Sequence, residues 1–211
     1  MWDYETRKLA DWTIRIRREL LDGKEQKKAT LEALGLLRGQ LEQVNRRVPG
    51  AARRHLHTVT LWMSPPYPNT IPRAEYHPGA EWLRQNQRNP EMEKGIEFTN
   101  IAIFPKECRR MPMMALHELA HAYHHQVLGY DNPEIQNAYR QAVASKTYES
   151  VQRQGRGLER AYALNNAMEY FAETSEAFFG TNDFYPFTRS DLRKHDPEME
   201  KLLKRLWDRG K

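Results

Sequence analysis

The sequence predicts an α+β fold: a small twisted sheet in the N-terminal part packed on a helix, followed by a mostly helical C-terminal part. Two observations carry this. Alternating apolar runs cluster before residue 105, at Trp12–Leu20, Thr58–Met63 and Ile96–Phe104, and helical periodicity dominates after it. No internal repeat or low-complexity linker divides the chain. Residues 1–211 therefore read as one domain, with the sheet-containing part at about 1–128 and the helical part at about 129–211.

In the first strand, Trp12, Ile14 and Ile16 alternate with Thr13, Arg15 and Arg17. From Lys24 to about Arg47, Leu31, Leu34, Leu37, Leu41 and Val44 recur at helical spacing until Pro49-Gly50 ends the pattern. Thr58–Met63 is the second strand, stopped by Pro65-Pro66. Five prolines between Pro65 and Pro78 make a stiff connection, with a helical turn or two near Ala80 to Gln87. The third strand, Ile96 to Phe104, alternates again through Phe98, Ile101 and Ile103. Helices follow at about 112–128, 133–153, 166–179 and 197–207. Pro112 and Pro197 suit first-turn positions, Asp196 an N-cap and Gly129 a helix end. The third strand is expected to lead directly into the helix at 112–128.

Composition excludes several classes. Apolar residues make up 39%, with 10 Tyr, 7 Phe and 5 Trp, which is enough buried surface to offset ordering entropy. The net charge of +5 raises the question of nucleic acid. The basic doublets, such as Arg17-Arg18 and Arg109-Arg110, are scattered among acids and no binding module accompanies them, so no nucleic-acid role is expected. Cys108 is the only cysteine, which excludes an intramolecular disulfide and a cysteine-based zinc knuckle. No apolar run of about 18 residues exists to span a membrane. The first twenty residues are too charged for a signal-peptide apolar segment. This points to the cytoplasm, or to secretion if a signal was trimmed ahead of Met1.

The chemistry centres on His117-Glu118-Leu119-Ala120-His121, an HExxH pattern. On a helix, positions i and i+4 share a face one turn apart, so both imidazoles can converge on one zinc ion. Glu118 lies beside the first ligand and faces the open coordination position. There it can take a proton from the attacking water and pass it to the leaving amine. The same five residues can arise by chance, but small and apolar neighbours make an unpartnered buried pair of histidines costly. His124 and His125 offer alternative pairs at helical spacing; only the 117/121 pair sets a glutamate beside its first ligand.

Catalytic zinc usually has three protein ligands and water. Glu169, with 47 residues between it and His121, is the candidate third ligand, on the helix Asn166-Ala-Met-Glu-Tyr-Phe-Ala-Glu173. Glu173 and Glu176 share its face. Glu173, one turn on, is expected to orient a ligating imidazole through its other nitrogen. The competing reading of these glutamates is a solvated acidic stripe; the flanking phenylalanines and the missing ligand argue against it.

His117–His121 followed by Glu169-Tyr-Phe-Ala-Glu173 resembles the lethal-factor-like gluzincin zinc metallopeptidases, the family of anthrax lethal factor and the Pro-Pro endopeptidases. The resemblance covers about residues 112–180. It implies a zincin-like fold and one catalytic Zn2+ held by His117, His121 and Glu169, with Glu118 as general base. In that family a tyrosine seven residues before the glutamate ligand donates a hydrogen bond to the tetrahedral intermediate. Tyr162 holds that place here, and a phenol beside a polarised carbonyl can steady the developing oxyanion.

These readings make the chain an endopeptidase acting on a peptide or protein substrate. In zincin folds an edge strand beside the active-site helix pairs with extended substrate. The strand at 96–104, with Phe98, Ile101 and Ile103, is expected to fill that role. Phe184 and Tyr185 are expected either to line a specificity pocket or to staple the C-terminal helices to the core. The alternative function is a non-catalytic binding or structural protein that retains the zincin fold and zinc site. The intact Glu118 argues against it.

Overall fold

A computed structural model describes residues 2–208. β1 (Tyr4–Leu9) and β2 (Trp12–Arg17) form an antiparallel hairpin. Its two-residue turn, Ala10 and Asp11, takes positive φ, as hairpin turns matched to strand twist require. α1 (Lys24–Arg47) and α2 (Gly50–Leu56) lead to β3 (Leu61–Met63). β4 (Ala74–Tyr76), α3 (Ala80–Gln85) and β5 (Ile96–Phe98) come next. α4 (Phe104–Arg110) and α5 (Met114–Tyr123) follow, the latter running into a π-helical turn at His124–Leu128. The remainder is α6 (Pro133–Ser145), a small hairpin of β6 (Val151–Gln152) and β7 (Leu158–Glu159), α7 (Ala167–Phe179), α8 (Arg189–His195) and α9 (Pro197–Trp207). The architecture is mixed α+β, a small sheet with a mostly helical remainder.

The main sheet runs β1-β2-β3-β5-β4. β2, β3 and β5 are parallel neighbours, and β4 closes the sheet as an antiparallel edge. Register aligns Ile14 with Leu61, Leu61 with Ile96 and Ile96 with Tyr76. Alternation then sends one face of each strand into the main core with α1 and α5. The opposite face buries Trp62 against Leu83 and Met92. Both faces of β3 and β5 are thus covered, and their residues are all buried.

The structure corrects several expected boundaries. The strand expected at 96–104 stops at Phe98, and Ile101–Ile103 form a 3-10 turn. Pro105 sits in the first turn of α4, where its missing N–H costs nothing, so it starts a helix rather than ending a strand. α4 therefore separates β5 from α5. Pro112 precedes α5, which begins at Met114. The helix expected to reach Arg153 ends at Ser145, where Lys146 is left-handed (φ 60°). β4 lies inside the proline-rich connection.

α5 buries every residue from Met114 through Ala120, the polar His117 and Glu118 included, so it is the central helix. Its N-cap, Met113, supplies no side-chain acceptor. Gln40 of α1 does so instead, its Oε1 accepting the Ala115 N–H at 2.8 Å. At the far side Trp207 of α9 stacks on Tyr123 (4.3 Å between centroids) and donates to Ser175 Oγ at 3.1 Å. α5 and α7 are thereby clamped together. Among the described residues no helix is long and apolar enough to cross a membrane.

Candidate metal centre

α5 presents His117 and His121 to α7, and α7 answers with Glu169. Asn166 accepts the Glu169 N–H at 2.9 Å as N-cap, which fixes the start of α7 and places Glu169 in its first turn. His117 Nε2 lies 3.1 Å from His121 Nε2 and 3.1 Å from Glu169 Oε2, and His121 Nε2 lies 3.3 Å from the same oxygen. A tetrahedral ion with bonds of about 2.0–2.1 Å separates its ligand atoms by about 3.4 Å. The three atoms are spaced to hold a metal ion.

The far side of His117 supports the same reading. Its Nδ1 is 2.8 Å from Glu176 Oε1, a contact that orients the ring and leaves Nε2 turned toward Glu169 and His121. An unprotonated Nε2 would then point its lone pair at a carboxylate oxygen and a second imidazole, which only a cation or an extra proton makes favourable. Burial opposes charge on this ring, yet the hydrogen bonds to Glu169 and Glu176 outweigh it and hold the His117 pKa well above its usual value. Glu169 is pushed the other way: burial would raise it, but the two histidines hold it far below the carboxylate range.

The orienting contact falls to Glu176 rather than Glu173. Glu173 Oε1 stands 3.8 Å from His117 Nδ1, and its other oxygen accepts from Asn182 at 3.1 Å. The extra three residues put Glu176 level with the far ring nitrogen. Both carboxyls are buried, which raises their pKa. Their grouping with His117 is closed to solvent, whereas His121 and Glu169 are partly exposed. Only the latter group leaves a position open for water or substrate.

Glu118 Oε2 accepts the Tyr76 N–H at 2.9 Å, tying the candidate base to the edge strand β4. A cleft of about 250 Å³ opens onto His117 and Glu118, with Tyr162 and Phe184 in its wall. Tyr162 begins a 3-10 turn before α7 and is half exposed. Burial, with the charge of Glu169 next, raises its pKa, so the phenol keeps its proton.

The other expected substrate residues are placed differently. β5 is flanked by β3 and β4, so its backbone is already used and cannot add a substrate strand. Phe98 is fully buried against Phe104, Ile101 is buried, and Ile103 is exposed on the 3-10 turn. β4 is the free edge beside α5. Phe184 reaches the cleft, under the Arg153 guanidinium at 4.4 Å. Tyr185 packs on His195 and Phe187 instead.

Neither spare histidine joins the metal group. His124 is fully buried against Phe171 and Tyr130, and burial pulls its pKa down to about 4, so it is neutral at pH 7. His125 Nδ1 is 2.9 Å from the Tyr76 hydroxyl and stacks on Tyr130. Tyr76 and Tyr130, which flank His125, carry no signal in the sequence. A three-residue strand gives too short a pattern for the first, and nothing but its place after Gly129 marks the second. No protein-family model, curated protein or solved structure matches the chain.

Proposed function

We propose that the chain is a zinc-dependent metalloendopeptidase of the lethal-factor-like gluzincin type, with a zincin-like fold. The observation that carries this is the convergence of His117, His121 and Glu169 within 3.1–3.3 Å, beside a glutamate bonded to a sheet edge. The donor set, two imidazoles and a carboxylate with one side open, is one that zinc favours in catalytic sites. When bound, zinc would polarise the scissile carbonyl and make water a nucleophile at neutral pH.

The protein's own residues do the rest. Glu118 takes the proton of the attacking water and delivers it to the leaving nitrogen. Its Oε1 has no protein partner among the described residues, since the Tyr76 N–H bonds only Oε2. Tyr162 donates a hydrogen bond to the carbonyl oxygen as negative charge develops there. β4 pairs with the extended peptide through the edge groups that Glu118 leaves free, the Tyr76 N–H being already taken, and the peptide lies between the strand and α5. Glu176 holds His117 in the tautomer that ligates.

Zinc titration of the chelator-stripped protein tests the reading. Cleavage of a mixed peptide library, followed by mass spectrometry, should return with the first equivalent of zinc. Cleavage that ignores chelation would refute it.

A further inference from the structure

β4 is an edge of the main sheet, and its backbone groups alternate in direction along the strand. Those of Arg73 and His77 turn toward β5. The Thr99 N–H donates to the Arg73 carbonyl at 2.9 Å, and the His77 N–H donates to the Gly95 carbonyl at 3.0 Å. Tyr76, one residue before His77, therefore turns its N–H outward, where an edge strand ordinarily leaves it to water. Here that N–H meets Glu118 Oε2 at 2.9 Å. A backbone amide on a carboxylate is a charge-assisted hydrogen bond with a set direction.

What fixes Tyr76 lies just past the metal helix. Its buried side chain reaches the π-helical turn His124–Leu128. The hydroxyl is 2.9 Å from His125 Nδ1 and accepts from Gln126 Nε2 at 3.1 Å. The same Gln126 nitrogen donates to the Lys94 carbonyl at 3.4 Å, and the Lys94 N–H bonds the His77 carbonyl at 2.7 Å. Burial pushes the Tyr76 pKa up to about 12. Burial, with the charge of Lys94 next, lowers that of His125. At neutral pH the phenol therefore donates and a neutral imidazole accepts. His125 is braced in turn, stacked on Tyr130 with 4.8 Å between centroids. Tyr76 is thus held at both ends, its main chain by Glu118 and its side chain by the turn that follows α5.

We propose that Tyr76 and His125 are positioning residues for the general base. Their hydrogen bond fixes the Tyr76 N–H, which holds Glu118 Oε2 and leaves Oε1 to meet the attacking water. The inference rests on the peptidase reading of the site. A base must lie within about 2.6–3.2 Å of the atom whose proton it takes. A displacement of about 1 Å is enough to cost a large factor in rate. The glutamate side chain turns freely about its own bonds, and the amide removes that freedom. His125 reaches Glu118 only through Tyr76, so the two tyrosine contacts act as one unit.

Steady-state kinetics on a peptide cleaved from a mixed library compare zinc-loaded wild type, Tyr76→Phe, His125→Leu and His125→Asn. The asparagine Oδ1 can stand where Nδ1 stood. Tyr76→Phe and His125→Leu should each lower kcat about tenfold with KM and zinc content unchanged, as for a contact felt in the transition state. The two together should cost no more than either alone. His125→Asn should recover most of the loss. Hydrogen exchange of the residue-76 amide, followed by heteronuclear NMR, should quicken in the first two variants and not in the third. Wild-type kcat in Tyr76→Phe overturns the proposal. So does a KM that rises as kcat falls, or an asparagine no better than leucine, since a merely structural contact gives both. A wild type that cleaves no peptide sinks the peptidase reading and the positioning role with it. Cleavage that Tyr76→Phe leaves intact sinks the positioning role alone.

Discussion

His117 stands between two chemistries, with Glu176 at Nδ1 and the candidate metal position at Nε2. Glu176→Gln should therefore weaken zinc binding by about 10–100-fold, and Glu173→Gln by much less, since Glu173 sits 3.8 Å away. Competition against a chromophoric chelator measures both, and equal effects would contradict the assignment. The same geometry sets a pH dependence. The carboxylates raise the His117 pKa, so the metal-free ring keeps its proton above about pH 6.5. The metal must displace that proton, so affinity should climb with pH until the raised value is passed, and fall as pH drops. A flat profile would count against a carboxylate-held His117. Tyr162→Phe removes one oxyanion donor and no ligand. It should lower kcat by about 10²-fold with zinc content unchanged.

Among the elements, those with long periodic patterns were legible before any coordinates: α1, α7 and α9 appear within a residue of their expected bounds. β4 was not, because three residues among prolines carry no alternation and its pairing to β5 is a tertiary fact. β5 stops short of its expected end, because Ile101 and Ile103 continue an alternating pattern that the chain uses for a 3-10 turn. The candidate ligand group follows from spacing along two helices. Helical spacing does not separate Glu176 from Glu173, because a helical wheel gives directions but not the axial offset between α5 and α7. The cap on α5 was equally invisible, since Gln40 lies 75 residues from Ala115. Gln40→Ala should cost about 1 kcal/mol in denaturant unfolding. Asp196 caps α9 through the Met199 N–H and accepts from Tyr148 and Tyr170. Asp196→Ala strips a cap and orphans two hydroxyls, an expected loss of about 2–4 kcal/mol. A change below 0.5 kcal/mol, within the usual range for a surface substitution, would show that α9 is held otherwise.

The molecule as a whole places its candidate site where its two parts meet. The sheet supplies β4 and, through Tyr76, the tether on Glu118; the helical part supplies Glu169, Glu176 and Tyr162. A metal held across α5 and α7 joins both, so it should stabilise the fold. At a zinc concentration about a thousand times its Kd the gain is about 4 kcal/mol. That is a Tm rise of about 10 °C for a chain of this size, lost on chelation. The central claim, that these parts form a hydrolytic centre, is tested most directly by comparing wild type and Glu118→Gln for zinc content and peptide cleavage together. The account predicts one zinc per chain in both proteins and cleavage in the wild type alone. Cleavage that survives Glu118→Gln, or a wild type that binds no zinc, would contradict it.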